Sequence, residues 1–318
     1  MSLDKAMQAL YVDLIRSVGI PGVVEGLGGA YRDDLMKLAT LNKIQLFYSQ
    51  LTGFRSQDLL RKHNIFLDTL SELCLLFNDN NISYAVFKTI KPFPNLPSDI
   101  DILIDEKHIQ VASTLLGSNG YVAMEKNMFC VTMHKETNVD LYLQPSVSNV
   151  PYLSKDILMY KRKKCRIGNI DFFALSNEAE FIAVAAHSIY KEQMLTLNDY
   201  ITLAVLANNA NIDQIIRMAN TLNVLDGIKL ALQVCGTISE TLSMPLRLNT
   251  LRHLLGVSTI PQINSLPYKF SFKSIAIILM KRTALDSNAR RYVPKIIAAN
   301  ISIRQLRKLL AHANRETY

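Results

Sequence analysis

The segment Asp99-Ile100-Asp101-Ile102-Leu103-Ile104 constrains the fold of this chain more than any other. It reads as a buried strand. The strand period of two sends Ile100, Ile102 and Ile104 to one face and both aspartates to the other. Two carboxylates held side by side repel each other unless a cation or a proton compensates. The divalent ion that suits them is Mg²⁺ (or Mn²⁺), which takes oxygen ligands and keeps positions open for substrate phosphates. A third acid, Asp140, sits in an equally apolar run, Val139-Asp140-Leu141-Tyr142-Leu143. If the two strands are neighbours, three carboxylates converge. That is the equipment for two divalent ions, one activating a hydroxyl and one steadying a leaving pyrophosphate. Strand-end acids facing solvent are the plain alternative, but a solvated edge usually alternates with Lys, Thr or Ser, and these acids are embedded in aliphatic residues.

Around this strand the hydrophobic period alternates between helix and sheet. Residues 3–18 and 31–60 read as helical, separated by a Gly- and Pro-containing loop over 19–29. A helix is expected over 64–77, with Phe66, Leu70, Leu73 and Phe77 on one face, Asn64 as its cap and the polar run 78–81 as its end. Tyr84-Ala85-Val86-Phe87 reads as a short strand, and Pro92, Pro94 and Pro97 make the next segment a loop. Beyond the D-x-D strand, Asp105 is placed to cap a helix carrying Ile109, Ala112, Leu115 and Leu116. Residues 121–133 and 139–143 read as two strands, and 164–167 with 170–174 as a hairpin turning at Gly168-Asn169. From Ser176 onward the pattern is helical, with Asn177 and Glu180 as a capping box. The expectation is an α+β protein. An α/β core over 64–175 holds a small mixed sheet with flanking helices, after a helical lead-in over 1–63 and before a helical domain over 176–318.

Charge is unevenly placed. The chain of 318 residues has a net charge of +8, yet from Lys269 onward eleven Lys or Arg face two acids, so the first 268 residues are nearly neutral. Such asymmetry favours a polyanion or a phosphate-bearing partner, against the plain reading of a solvated basic helix face. The run Lys161-Arg162-Lys163-Lys164-Cys165-Arg166 admits the same two readings. With 49% apolar and 19% charged residues, a disordered or fibrous chain is excluded. The four cysteines are scattered without a C-x-x-C pair, so neither zinc nor a disulfide framework is expected. The start, MSLDKAMQAL, has an early Asp and no long apolar stretch, so no signal peptide is expected. A cytoplasmic protein with no membrane span is the expectation.

The order strand, loop, S-D-I-D-I-L-I, helix and then a third Asp within V-D-L-Y-L resembles the DNA polymerase β-type nucleotidyltransferase superfamily. More narrowly, AVFKTIKPFPNLPSDIDILI with the following helix, hairpin and VDLYL is similar to uncharacterised bacterial and archaeal nucleotidyltransferase-like proteins, over about residues 64–205. The resemblance implies a nucleotidyltransferase fold and an enzyme that moves a nucleoside monophosphate from an NTP to a hydroxyl, releasing pyrophosphate. It implies Asp99 and Asp101 as ligands of both metals, and Asp140 as the third ligand and acceptor of the nucleophile's proton. The superfamily usually carries Gly-Ser or Gly-Gly just after the first strand, to hold the triphosphate. Here that position reads Phe87-Lys88-Thr89-Ile90, so Lys88 would bring the charge and Thr89 the hydroxyl, with Ser98 beside them. The arginine that precedes the D-x-D in many relatives is absent from 95–98.

FIAVAAHSIYKEQMLTLNDYITL resembles the family's helix pair and places His187 and Asp199 at matching positions. Each has a plain reading beside it. His187 lies on an apolar stripe with Val184 and Tyr190, where a hydrogen-bonded core histidine is expected. Asp199 follows Thr196 by three residues, as a capping-box acid does. Lys191, one turn beyond His187, would be a solvated lysine or a phosphate contact. Three functions remain on these residues: an NTP-dependent transferase with RNA favoured as acceptor, a nucleotide- or RNA-binding module without turnover, and a D-x-D nucleotide-sugar glycosyltransferase. The last fits least, because such enzymes place the acids after an apolar run, whereas here Ile102-Leu103-Ile104 follows them.

Overall fold

The computed structural model describes residues 32–290, apart from 54–55, 148, 243–246, 261–262, 264 and 287–289. The expected helix over 3–18, the 19–29 loop and most of the basic tail, including Arg291, Arg304 and Arg307, lie outside the described residues.

The apolar runs assemble into one seven-stranded sheet. Its strands are β1 (Tyr84–Val86), β2 (Asp99–Ile104), β3 (Val122–Lys126), β4 (Cys130–His134) and β5 (Asn138–Tyr142), then, after a small ribbon of β6 (Ser146–Val147) and β7 (Val150–Pro151), β8 (Arg162–Ile167) and β9 (Ile170–Leu175). The spatial order is β3-β4-β5-β2-β1-β9-β8. β2 is central, antiparallel to β1 and parallel to β5, and β1 runs parallel to β9. Ile100, Ile102 and Ile104 are fully buried, which is why the sheet closes around this strand.

Helices cover both faces. The chain enters through α1 (Arg32–Leu41), α2 (Gln45–Leu51) and α3 (Gln57–Asp79), and α4 (Ile109–Ser118) follows β2. The isoleucine face of β2 packs on Phe66, Leu70, Leu73 and Phe77 of α3 and on Ala112 and Leu116 of α4. The opposite face meets helices from both ends of the chain. After α5 (Lys155–Tyr160) these are α6 (Asn177–Ala186), a π-helical turn (His187–Lys191), α7 (Leu197–Asn208), α8 (Ile212–Thr221), α9 (Leu225–Leu242), α10 (Arg247–Leu254) and α11 (Phe272–Leu285). Leu35 and Leu38 of α1, Ala85, Phe87 and Leu103 of the sheet region, and Phe181 and Leu203 of the later helices share one core. The chain is thus a mixed α+β protein with a sheet flanked by helices. None of the described helices is long and apolar enough to cross a membrane, and all four cysteines are free.

Several local expectations are corrected. α3 starts at Gln57, capped by the Ser56 side chain, rather than at Asn64. The expected strand over 121–133 is a hairpin, β3 and β4, because the Asn127 side chain accepts from the N–H groups of Phe129 and Cys130 and turns the chain. Asp105 precedes a 3₁₀ turn without a side-chain capping bond. α6 is capped by Ser176, whose hydroxyl accepts from the Ala179 N–H, so Asn177 and Glu180 form no capping box there.

Candidate active site

The site grows out of the parallel pairing of β2 with β5, whose register sets Asp101 beside Asp140 and Asp99 beside Asn138. Period two then carries Asp99 to the same face as Asp101. Asp99, Asp101 and Asp140 each offer an oxygen within 4.8 Å of the other two. Burial first, and then the neighbouring charges of Asp101 and Asp140, push the Asp99 carboxyl up to about 6, with Lys88 opposing them. Burial acts the same way on Asp101, but the Lys88 and Lys191 charges and the hydrogen bond from Lys88 together hold that carboxyl below the usual range. One Asp101 oxygen, Oδ1, is buried without a hydrogen-bond partner, while Oδ2 lies 3.1 Å from Lys88 Nζ. An orphaned carboxylate oxygen beside two further acids fits a divalent cation, which takes oxygen ligands. Asp140 is oriented by hydroxyls: Thr132 donates to its Oδ1 at 2.6 Å and Tyr142 to its Oδ2 at 3.1 Å. Tyr142 in turn accepts from Lys191 Nζ at 3.0 Å.

Lys88 leaves β1 in the left-handed region, φ 58°, a conformation that is costly for a residue with a side chain. Its N–H donates to Glu180 Oε1 at 2.7 Å, and its ammonium lies 3.2 Å from His187 Nδ1. Thr89 is only 2% exposed, and its hydroxyl accepts from the Asp101 N–H at 2.8 Å and donates to the Phe87 carbonyl at 3.1 Å. The hydroxyl expected to meet a phosphate therefore fixes the strand end that carries Asp101. Ser98 donates to Asp99 Oδ1 at 3.1 Å.

His187, Lys191 and Asp199 all line the same cavity as Asp99 and Asp101. His187 is half-buried and hydrogen-bonded, with Tyr152 at 3.2 Å from Nδ1 and Glu192 at 3.2 Å from Nε2. Burial and the Lys88 charge depress it to about 3, so it is neutral at physiological pH. Asp199 closes the capping box of α7 with Thr196, as its spacing suggests. The cavity measures about 310 Å³ and is also lined by Lys43, Lys91, Asn95, Glu192 and Asn198. Lys91, Asn95, Glu192 and Asn198 lie within the segments that carry the family resemblance but take no role in it, and Lys43 lies outside them; only the fold brings the five together. Glu180 is legible in the sequence only as a helix-start acid, although burial raises it to about 7 against the pull of Lys91 and Lys88.

The basic run over 161–166 lies elsewhere. β8 forms the sheet edge, separated from β2 by β9 and β1, and Lys164 and Arg166 both pair with Asp171. Among the described residues, no continuous basic wall joins that run to the carboxylates.

Residues 53–239 match a family described as uncharacterised nucleotidyltransferase. No curated protein matches the chain. Among solved structures, the chain is similar to the antibiotic-resistance factor ANT(2'')-Ia at 10% identity, over 52% of this chain and 89% of that one, with a TM-score of 0.34. A likeness this distant says nothing of substrate or acceptor.

Proposed function

The chain belongs to the nucleotidyltransferase family whose pattern it matches, and on that premise we propose that it moves a nucleoside monophosphate from an NTP to a hydroxyl acceptor. The observation that carries the reading is the cluster of Asp99, Asp101 and Asp140 within 4.8 Å, with Asp101 Oδ1 lacking a hydrogen-bond partner. These three would hold Mg²⁺ or Mn²⁺. When bound, the metal supplies charge that offsets the carboxylates and polarises the transferring phosphate. The acceptor oxygen attacks the α-phosphorus as its bond to the bridging oxygen breaks, and pyrophosphate leaves with the electron pair. The hydroxyl proton passes to Asp140, whose position Thr132 and Tyr142 hold. Lys88, Ser98 and Lys191 border the donor. His187, being neutral, orients the Lys88 ammonium rather than adding charge. Thr89 acts one step back, through the Asp101 backbone.

RNA is the acceptor that the charge asymmetry favours. The run on β8 no longer supports it, and of the tail within the described residues Lys281 pairs with Asp226 and Arg282 with Asp286. The RNA reading therefore rests on Lys269, Lys273 and Arg290, which are exposed, and on the basic residues beyond 290.

A second reading, a nucleotide-binding module without turnover, is favoured by one observation: the Lys88 ammonium already sits on Asp101. Calorimetry with Mg-NTP on the wild type and on Asp99→Ala/Asp101→Ala tests both. Metal-dependent binding that the double variant loses supports the site, and absence of binding to the wild type removes it. Release of pyrophosphate then separates transferase from module.

A further inference from the structure

An NTP brings three phosphates, and most polar groups beside the first strand are already engaged. Lys88 pairs with Asp101, Thr89 holds the Asp101 N–H, and Ser98 donates to Asp99. Lys91 differs. It lines the cavity at half burial, and among the described residues no hydrogen bond or ion pair holds its ammonium. Lys43 lines the same cavity from the turn between α1 and α2, with φ 57°.

The two lysine-bearing segments are tied together by one buried side chain. Asn198, 4% exposed at the start of α7, donates from Nδ2 to the Lys43 carbonyl at 2.9 Å and to Asn95 Oδ1 at 2.8 Å. Asn42, fully buried, fixes the same turn by accepting from the Leu197 N–H at 3.1 Å. Lys43 and Lys91 thus line the cavity from two segments that Asn198 joins, one through the Lys43 carbonyl and one through the Asn95 side chain. Burial lowers the pKa of each, against the pull of Asp99, Glu192 and Asp199 on Lys43 and of Glu180, Asp199 and Asp101 on Lys91. Two lysines that line one cavity bring the positive charge that phosphate oxygens need. Lys43 also lies outside the residues that match the family.

We propose that Lys91 and Lys43 form a phosphate clamp that holds the pyrophosphate portion of the donor, in place of the missing glycine loop. The proposal rests on the reading of the substrate as an NTP. It divides the labour across the cavity, with carboxylates and metal at the α-phosphate and lysines at the leaving group. A charge-assisted contact of this kind is worth about 1.5–3 kcal/mol, so losing it weakens binding roughly ten- to a hundredfold.

The test is calorimetry of the wild type, Lys91→Gln, Lys91→Arg and Lys43→Gln with Mg²⁺-tripolyphosphate, and with Mg-NTP and the matching nucleoside. The two glutamine variants should bind tripolyphosphate and NTP at least about tenfold more weakly and the nucleoside as the wild type does, with Lys91→Arg recovering most of the loss. Lys91 makes no hydrogen bond or ion pair among the described residues, but its charge acts on Glu180, so the melting of each variant is recorded beside its binding and only a variant that is folded at the titration temperature is compared. Unchanged tripolyphosphate binding in Lys91→Gln, or no such binding by the wild type, overturns the clamp. Transfer of label from an α-labelled NTP is measured in parallel. Intact transfer with Lys91-independent binding removes the clamp alone, whereas Lys91-dependent binding without transfer removes the transferase reading alone.

Discussion

Lys88 Nζ lies 3.1 Å from Asp101 Oδ2 in a pair where both side chains are under 10% exposed, and it leaves Asp101 Oδ1 without a hydrogen-bond partner. The cation that the D-x-D strand demands is therefore supplied in part by the protein itself. Removing one member of a buried pair typically costs about 3–5 kcal/mol, because the other charge is left uncompensated. Lys88→Met should melt well below the wild type without metal and gain more from Mg²⁺ or Mn²⁺, which would take over the charge. Thermal melts with and without metal read this directly. An equal or smaller metal shift in the variant would contradict it.

Glu180 gives a pH dependence. Its folded-state pKa is raised from an ordinary 4.5 to about 7, by burial above all. The folded state thus binds the proton more tightly than the unfolded chain does. The stability this gives is present below about pH 4.5 and is lost as pH rises through about 7, on the order of 3 kcal/mol at most. Glu180→Gln keeps an oxygen to accept from the Lys88 N–H but carries no charge. It should be more stable than the wild type at pH 8 and lose that advantage near pH 4.5. Urea titrations at the two values check the sign; a variant less stable at pH 8 would refute it.

Thr89 is predicted to act through the backbone. Thr89→Val removes the acceptor of a buried N–H at the Asp101 position, which costs about 1–3 kcal/mol. Thr89→Ser keeps the oxygen and should recover most of that stability. Chemical denaturation of the two variants decides it, and a valine variant as stable as the wild type would count against the role.

The strand carrying the acids is legible because Ile100, Ile102 and Ile104 alternate with them, and the fold class follows from the same periodicity. The family resemblance is legible from S-D-I-D-I-L-I and V-D-L-Y-L, the two segments that pair in parallel at the centre of the sheet. What stays hidden depends on distant contacts. Glu180 reads as a capping acid until the fold brings it to the Lys88 N–H, ninety-two residues away. Lys43 sits in a polar turn with no motif, and only Asn198, 155 residues on, shows that the turn is anchored at the cavity. The β3–β4 hairpin is hidden because Asn127 turns the chain within a segment that reads as one strand.

The central claim is metal-dependent nucleotidyl transfer through the Asp99, Asp101 and Asp140 cluster. Its most direct measurement is incubation of the wild type and Asp101→Asn with each α-labelled NTP, Mg²⁺ and separated cellular RNA, protein and small-molecule fractions. The account predicts that the wild type labels one fraction and releases one pyrophosphate per label, and that chelation of the metal or the Asp101→Asn change abolishes both. Label in no fraction with any NTP, or equal labelling by Asp101→Asn, would contradict it.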